Sequence, residues 1–307
     1  MPIYKKNGDK LQPIREKKVD LELTIQRLVE KNLAELFGLT YVCSEYQLHG
    51  LRIDTLAFDE EQKSFVVIEY KKDRSFSVVD QGYAYLALLL NNKAEYILEY
   101  NEKCNRSLRK NDVDWSQSKV VFVASAFTKY QKEAMGFKDL PIELWEVTQY
   151  ENETILFDQI RVSEKSESIK TIKKDEGTAV VSREIKEYSV EDHFRPHWDK
   201  TRAIFDMFSE RMLELDARFV PNPKKIYIGF NINGKNVVNV QPKAAKVLLD
   251  LLRVQPQDLN DPEKKTRYME HSYDWYHQHV TQFDIKNEDD VEYAIMLAKQ
   301  VFKRFSA

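Results

Sequence analysis

Two acidic side chains and one lysine lie in neighbouring segments whose spacing could bring them together. Asp54 and Asp59 belong to one apolar segment, and Ser64, Glu69 and Lys71 belong to the next. The four residues between the segments predict a hairpin loop, which places Asp59 opposite Ser64 and therefore Asp54 opposite Glu69. Lys71 is two residues beyond Glu69 and shares its face of the strand. The predicted hairpin thus gathers two carboxylates and an ammonium group at one end.

The strands around these groups are predicted to be apolar on both faces, which is typical of strands inside a sheet that is covered on both sides. One face would carry Leu56, Phe58, Phe65 and Val67, and the other Ile53, Ala57, Val66 and Ile68. Opposed carboxylates in such a place repel each other, and a divalent cation would relieve that repulsion. Mg²⁺ typically takes one or two carboxylates together with water and phosphate oxygens.

Lys71 could then orient or deprotonate an attacking water, or stabilise the charge that develops on a phosphate. The alternative is a structural ion pair on the surface of a sheet. An Asp and a Glu-x-Lys in two strands are common, and taken alone they favour this structural interpretation.

Three further side chains could reach the same place. Glu30 lies at the edge of the apolar stripe of the first predicted helix, although it could equally be an ordinary exposed glutamate. Gln81 and Tyr85 are four residues apart on the helix after the hairpin and share one of its faces, which routine helix packing would also explain. The order of the elements is a helix, a strand, a strand with Asp, a strand with Glu-x-Lys, and a helix.

This ordered set resembles the PD-(D/E)XK nuclease superfamily over roughly residues 20–125. The residues that carry the resemblance are Glu30, Asp54, Glu69-Tyr70-Lys71 and Gln81-x-x-x-Tyr85. The last element resembles the RecB-like and Mrr-like branches, and segments 52–59 and 67–71 are similar to NucS-type endonucleases. Ile53 replaces the Pro of the family's name, and Tyr70 stands where a small apolar residue is common. Neither departure removes a metal ligand.

The resemblance implies that Asp54 and Glu69 bind Mg²⁺ or Mn²⁺, with the backbone carbonyl of Tyr70 as a further ligand. It implies that Lys71 assists catalysis and that Glu30 contacts the metal through water or positions it. The two remaining catalytic candidates, Gln81 and Tyr85, would contact the substrate backbone or support Lys71. The reaction would be the attack of water on a phosphodiester, in line with the leaving oxygen.

The expected function is therefore a metal-dependent endonuclease whose partner is a nucleic acid, DNA in the first place. Restriction, repair and phage defence would all fit such an enzyme, and a homodimer is left open. One alternative is a non-catalytic nucleic-acid-binding or assembly module that retains the nuclease fold. Another is an assembly protein whose activity belongs to a partner subunit.

The elements that must position these residues alternate between helix and strand, which predicts an α/β domain over residues 1–163. The resemblance implies a restriction-endonuclease-like αβα sandwich with a mixed central sheet. The predicted helices are Asp20–Phe37, stopped by Gly38, then Ser75–Asn91 and Thr128–Phe137. The predicted strands are Tyr41–Leu48, Leu51–Asp59, Ser64–Lys71, Lys119–Ser125, Ile142–Tyr150 and Thr154–Val162.

The segment Ser163–Tyr188 is polar and predicts a linker, assigned to residues 164–188. Residues 189–307 predict a smaller α+β domain for recognition of substrate or partner. Its predicted elements are helices Asp199–Leu215, Pro242–Leu252 and Asp289–Phe305, and strands Lys225–Phe230 and Val237–Val240 around the hairpin signal Asn233-Gly234. This region resembles an uncharacterised domain of proteins often described as predicted transport proteins, although no segment is long and apolar enough for transport across a membrane.

Histidines of the C-terminal region suggest a metal site only weakly. His271, Trp275, His277 and His279 lie close together, but acidic or Cys partners are not obvious, so an aromatic recognition surface or plain core is favoured. His193 and His197 are separated by Pro196, which disfavours a metal pair on a helix.

Composition limits the class of protein. The chain has 307 residues, 42% hydrophobic and 32% charged, which excludes wholesale disorder. Two cysteines give neither a disulfide framework nor a zinc motif, and no signal peptide is recognisable, so we expect a cytoplasmic protein without a membrane partner.

The net charge of −3 means that nucleic-acid contact would need a local basic patch. Candidates are Lys5, Lys6, Lys10, Arg15, Lys17 and Lys18, otherwise interpreted as a solvated tail, and Lys71, Lys72 and Arg74.

Overall fold

The computed structural model describes residues 3–17, 22–71, 77–135, 140–160, 186, 188–232 and 235–306. The chain divides into two compact units, Met1–Lys186 and Glu187–Ala307. The division falls within the predicted linker, most of which lies outside the described residues. No helix in the described part of the chain is both long enough and apolar enough to cross a bilayer.

The N-terminal unit contains five α-helices and nine strands among its described residues. The helices are α1 (Glu22–Lys31), α2 (Leu33–Phe37), α3 (Val78–Asn91), α4 (Lys93–Cys104) and α5 (Lys129–Ala134). The strands are β1 (Ile3–Asn7), β2 (Lys10–Ile14), β3 (Glu16–Lys17), β4 (Thr40–Leu48), β5 (Leu51–Asp59), β6 (Ser64–Lys71), β7 (Lys119–Ala124), β8 (Ile142–Tyr150) and β9 (Ile155–Gln159).

Seven of these strands form a mixed sheet in the order β3-β8-β7-β6-β5-β4, with β9 paired to β8. Strands β4, β5 and β6 pair antiparallel, whereas β6, β7 and β8 pair parallel. Apolar residues of α3 and α4 pack on one face of this sheet, and those of α1 and α2 pack on the other. The predicted α/β class with a mixed central sheet covered on both faces is confirmed.

The first predicted helix is two helices that meet at Asn32. The Asn32 side chain donates a hydrogen bond to the carbonyl oxygen of Leu28 at 2.7 Å, a local alternative to continued helical pairing. The predicted stop is confirmed, because Gly38 has a φ of 69° at the end of α2. Residues 20 and 21, 75 and 76, 136 and 137, and 161 and 162, which belonged to predicted elements, lie outside the described residues.

The strands β1, β2 and β3 and the helix α4 were not predicted. The basic start of the chain, interpreted as a tail, forms the exposed hairpin β1–β2, which turns through Gly8 at a φ of 61°. Helix α4 was missed because its buried side chains are only Tyr96 and Tyr100, a narrow stripe in a mostly polar segment.

The predicted sidedness of the hairpin strands was wrong at one position. Ile53 packs with Leu56 and Phe58, not with Ala57 and its neighbours on the other face. Ile53 lies where β5 has parted from β6 and pairs only with β4, opposite Tyr46.

The C-terminal unit is an antiparallel sheet in the order β10-β11-β12-β13-β15-β14, packed against two long helices. The helices are α6 (Asp199–Leu215), α7 (Ser272–Tyr276) and α8 (Glu288–Ser306). The strands are β10 (Val220–Pro223), β11 (Ile228–Ile232), β12 (Lys235–Lys243), β13 (Lys246–Leu252), β14 (Arg267–Tyr268) and β15 (Val280–Ile285). The predicted helices at 199–215 and 289–305 are confirmed.

The predicted helix Pro242–Leu252 was wrong. Strand β12 extends to Lys243 and β13 begins at Lys246, and the two form a tight hairpin. Val247, Leu249 and Leu251 alternate into the core, which is the period of a strand. Asn233 and Gly234 lie outside the described residues, but the strands on either side of them pair antiparallel as the hairpin signal predicted.

Candidate active site

The site is positioned by the register of β5 and β6. Asp59 lies opposite Ser64 and the pairing continues to Thr55 opposite Ile68, so the predicted register is confirmed. The next step along each strand is Asp54 and Glu69, where the backbone ladder has ended. The Asp54 carboxylate continues the connection, because its Oδ2 accepts a hydrogen bond from the backbone N–H of Tyr70 at 3.0 Å. A buried carboxylate is thereby fixed at the point where the strands separate.

Glu69 is buried, with 5% of its surface exposed. Its Oε1 lies 3.3 Å from the Lys71 ammonium, whereas its buried Oε2 has no hydrogen-bond partner among the described residues. We call this oxygen, Glu69 Oε2, the open acceptor. Burial, and next the negative charge of Asp54, raise the pKa of Glu69 to about 7, against the opposing effect of Lys71. A buried acceptor left without a donor costs about 1–3 kcal/mol.

Lys71 is the last residue of β6 and shares the face of Glu69, as the alternation of the strand requires. Its side chain is 15% exposed, and its Nζ also lies 5.9 Å from the centre of the Phe122 ring. The carboxylate and the ring together hold the ammonium beside the open acceptor.

Gln81 and Tyr85 lie on α3, whose first turn is capped by Ser77. The Tyr85 hydroxyl donates to the backbone carbonyl oxygen of Arg52 at 2.9 Å and accepts from Gln81 Nε2 at 3.1 Å. Burial, and next the charge of nearby Glu69, raise the pKa of Tyr85. By geometry the hydroxyl proton points to Arg52, and the same hydroxyl lies close enough to Glu69 to oppose the rise of the Glu69 pKa. The pair anchors β5 just before Asp54.

Glu30 lies on α1 and is surrounded by donors. Its Oε1 accepts from Gln26 Nε2 at 3.0 Å, from Ser44 Oγ at 2.7 Å and from Thr55 Oγ1 at 2.7 Å. Thr55 follows Asp54 in β5, so their side chains leave the strand in opposite directions. Asp54, Glu69, Lys71 and Tyr85 are brought together, and Glu30 is linked to them through β5.

Two residues of this neighbourhood were missed in the sequence. Gln26 Nε2 donates to the backbone carbonyl oxygen of Asp54 at 3.1 Å as well as to Glu30. Arg52 Nη2 lies 3.6 Å from Asp54 Oδ1, and its Nη1 lies 2.9 Å from Glu45. Both carried a usable signal, since Arg52 is two residues before Asp54 on a strand and Gln26 is one turn before Glu30 on a helix.

The described side chains offer two carboxylates to a divalent cation, so water would have to complete its coordination shell. Within the described residues, no group of three or more His, Cys, Asp or Glu side chains could hold a metal ion. Asp54 and Glu69 supply two carboxylates, and the open acceptor gives one of them an oxygen that could bind a cation. Mg²⁺ is commonly held by one or two carboxylates with water completing its shell, and these residues fit that pattern.

Both ring nitrogens of His279 in the C-terminal unit lie within hydrogen-bond distance of protein groups. His279 Nδ1 lies 2.9 Å from the Tyr268 hydroxyl and its Nε2 lies 3.0 Å from Gln255 Nε2. His193 ends a short turn, and His197 has a φ of 72°. Tyr273 and Trp275 are exposed, and their role as a recognition surface stays a prediction.

The N-terminal unit is thus a mixed α/β fold with two carboxylates and a lysine at one end of adjacent central strands. The chain is 38% identical over 307 residues to a protein of Haemophilus influenzae described as an uncharacterised protein, covering 99% of this chain and 100% of that relative. It therefore belongs to the same protein family. No protein-family model matches the chain.

Two solved structures show a distant likeness. A repair endonuclease from Pyrococcus abyssi is 16% identical with a TM-score of 0.25, and the match covers 43% of this chain and 50% of that one. The EndoMS–dsDNA2 complex is 17% identical with a TM-score of 0.25, and the match covers 42% of this chain and 47% of that one. The matches span about half the length of each of these structures.

Proposed function

We propose that the N-terminal unit is a metal-dependent endonuclease that hydrolyses phosphodiester bonds of DNA. The observation that carries this proposal is the open acceptor of Glu69, buried beside Asp54 and the Lys71 ammonium. A structural ion pair would be expected to have its buried oxygens satisfied, because an unsatisfied one costs free energy. An oxygen that is kept open beside two other charges is better explained by an ion or substrate that it binds.

Asp54, Glu69 and the backbone carbonyl of Tyr70 would hold Mg²⁺ or Mn²⁺. When bound, such an ion lowers the pKa of a coordinated water and neutralises charge on the phosphate. Asp54 offers Oδ1 for this role, because its Oδ2 is occupied by the Tyr70 amide. The raised pKa of Glu69 means that its carboxyl must lose a proton on binding the cation near neutral pH.

Lys71 would act on the substrate and not on the cation, since a protonated ammonium has no lone pair to offer. Its Nζ would orient the attacking water or stabilise the charge that develops on the phosphate oxygens. Gln81 and Tyr85 would support this arrangement by fixing β5, and Glu30 would position it through Thr55 and Gln26. Restriction, repair and phage defence remain the pathways that we propose for such an enzyme, and the homodimer stays a prediction.

A plasmid-nicking assay with Mg²⁺, Mn²⁺ and EDTA tests the proposal. Wild-type protein should nick supercoiled DNA with either cation and stop in EDTA. The near-isosteric variants Asp54→Asn and Glu69→Gln should fold and not cleave. Glu61→Gln, at the far end of the same hairpin, is the matched control and should cleave normally. Binding of DNA without cleavage under every condition would favour the non-catalytic module instead.

A further inference from the structure

A second concave site lies between α1 and the strands β8 and β9. Its volume is about 320 Å³, within the range of about 300–1,000 Å³ typical of pockets for small organic ligands. Leu28 of α1, Val147 of β8 and Ile155 of β9 form an apolar wall. The nuclease candidates are absent from the described residues that line this pocket.

Two cationic side chains line the pocket beside this apolar wall. Arg27 and Lys31 line the pocket from α1, four residues apart and therefore on the same face of the helix. Both are exposed, and neither forms an ion pair with any carboxylate of the described residues. Like charges at this spacing repel each other, so an anion placed between them would be stabilised by both.

A third cation comes from the edge strand. Lys17 of β3 lies directly opposite Gln149 of β8, whose side chain lines the pocket, so both side chains project from the same face of the sheet. Two acidic residues of the adjoining strands point away. Glu16 precedes Lys17 and takes the other face, as does Glu146, one residue before Val147. Within the described part of the chain, the lining of this pocket contains no acidic side chain.

We propose that this pocket binds a nucleoside phosphate. The phosphate lies among Lys17, Arg27 and Lys31, where the planar guanidinium can donate two parallel hydrogen bonds to phosphate oxygens. The base lies against the wall of Leu28, Val147 and Ile155.

The carboxamide of Gln149 distinguishes a base from a fatty chain. A carboxamide both donates and accepts hydrogen bonds, as the polar edge of a base does, whereas an alkyl chain would leave it without a partner. The nucleoside phosphate could be a free mononucleotide or the terminal nucleotide of a strand, which share this chemistry. The proposal does not depend on nuclease activity.

Calorimetric titration of the full-length protein in EDTA tests whether this pocket binds a nucleoside phosphate. The chelator prevents the proposed metal-dependent cleavage, so only binding is measured. The probes are adenosine 5′-monophosphate, adenosine, inorganic phosphate and decanoate. We expect the monophosphate to bind at least about tenfold more tightly than the other three, since only it uses both the cations and the wall. Arg27→Ala and Lys31→Ala should each weaken it about tenfold. Lys129→Ala, which removes an exposed lysine of α5, should leave the affinity unchanged.

Three results would overturn the proposal. Equal binding of inorganic phosphate would reduce the pocket to a general anion site, tighter binding of decanoate would assign it to amphiphiles, and wild-type affinity in both cation variants would move binding elsewhere. A 5′-phosphorylated single-stranded oligonucleotide distinguishes the two sources. Affinity equal to that of the monophosphate would assign the pocket to a strand end, and much weaker binding would assign it to the free nucleotide.

Discussion

The two units each bury a carboxylate in a central strand, and the two carboxylates differ in what surrounds them. Asp250 of β13 is 6% exposed, and both its oxygens accept hydrogen bonds, Oδ2 from Gln241 at 2.7 Å and Oδ1 from Gln282 at 2.8 Å. Glu69 of β6 is equally buried, yet it retains the open acceptor. Burial raises the pKa of both carboxyls. Burial and a raised pKa are therefore common to both acids, and the two differ in whether their buried oxygens accept hydrogen bonds.

Removal of either acid of the candidate site should have the largest effect. Asp54→Ala and Glu69→Ala should abolish binding of divalent cations and cleavage while the protein stays folded, because each removes a carboxylate from a set of two. Asp250→Asn should retain both activities. Nicking assays and calorimetry with Mn²⁺ measure these outcomes. Loss of cleavage in a folded Asp250→Asn protein would contradict the contrast drawn between Glu69 and Asp250.

Lys71 should separate cleavage from binding of the cation. Lys71→Ala should leave the affinity for Mn²⁺ nearly unchanged or slightly tighter, because a nearby positive charge is removed. Turnover should fall by on the order of a hundredfold or more. Lys71→Arg should not restore it fully, since guanidinium cannot readily act as a base. Cleavage by Lys71→Ala at the wild-type rate would exclude a catalytic role, and joint loss of cation binding and folding would indicate a structural pair.

For the free energy of unfolding, we expect substitution of Asp250 to have a larger effect than substitution of Glu69. Asp250→Ala should lower the free energy of unfolding by about 1–3 kcal/mol, because two partly buried amides lose their acceptor. In the absence of metal, Glu69→Gln should leave it nearly unchanged or slightly higher, because the repulsion from Asp54 is relieved. Urea unfolding in EDTA measures both variants. A large decrease in the free energy of unfolding of Glu69→Gln would indicate that Glu69 has a structural role.

The last expected effect is a dependence of stability on pH. The native pKa of Glu69 is raised, so its contribution to stability is fully present below its unfolded value of about 4.5 and is lost as the pH rises through about 7. In EDTA, Glu69→Gln should lack this contribution. The gain in stability of the variant over wild type should therefore grow between about pH 4.5 and 7, as measured by urea midpoints. A constant difference across that window would contradict the assigned shift.

The hairpin that carries the site could be predicted because a four-residue loop between two apolar strands determines which residues face each other. The strand at 246–252 could not, because its near-continuous apolar run fits a buried helix as well as a buried strand. The hydrogen bonds of Glu69 could not be predicted from the sequence either. Which donors arrive at a buried oxygen depends on the packing of α3 and β5, which no local pattern encodes.

The anchor between Tyr85 and β5 has a consequence for how this protein can be varied. The hydroxyl binds the backbone carbonyl of residue 52, while the Arg52 side chain is 59% exposed. An acceptor on the backbone is supplied by any amino acid. Position 52 can therefore be randomised in a library while Tyr85 keeps its hold on the backbone of the strand, and such a library isolates what the Arg52 guanidinium contributes beside Asp54.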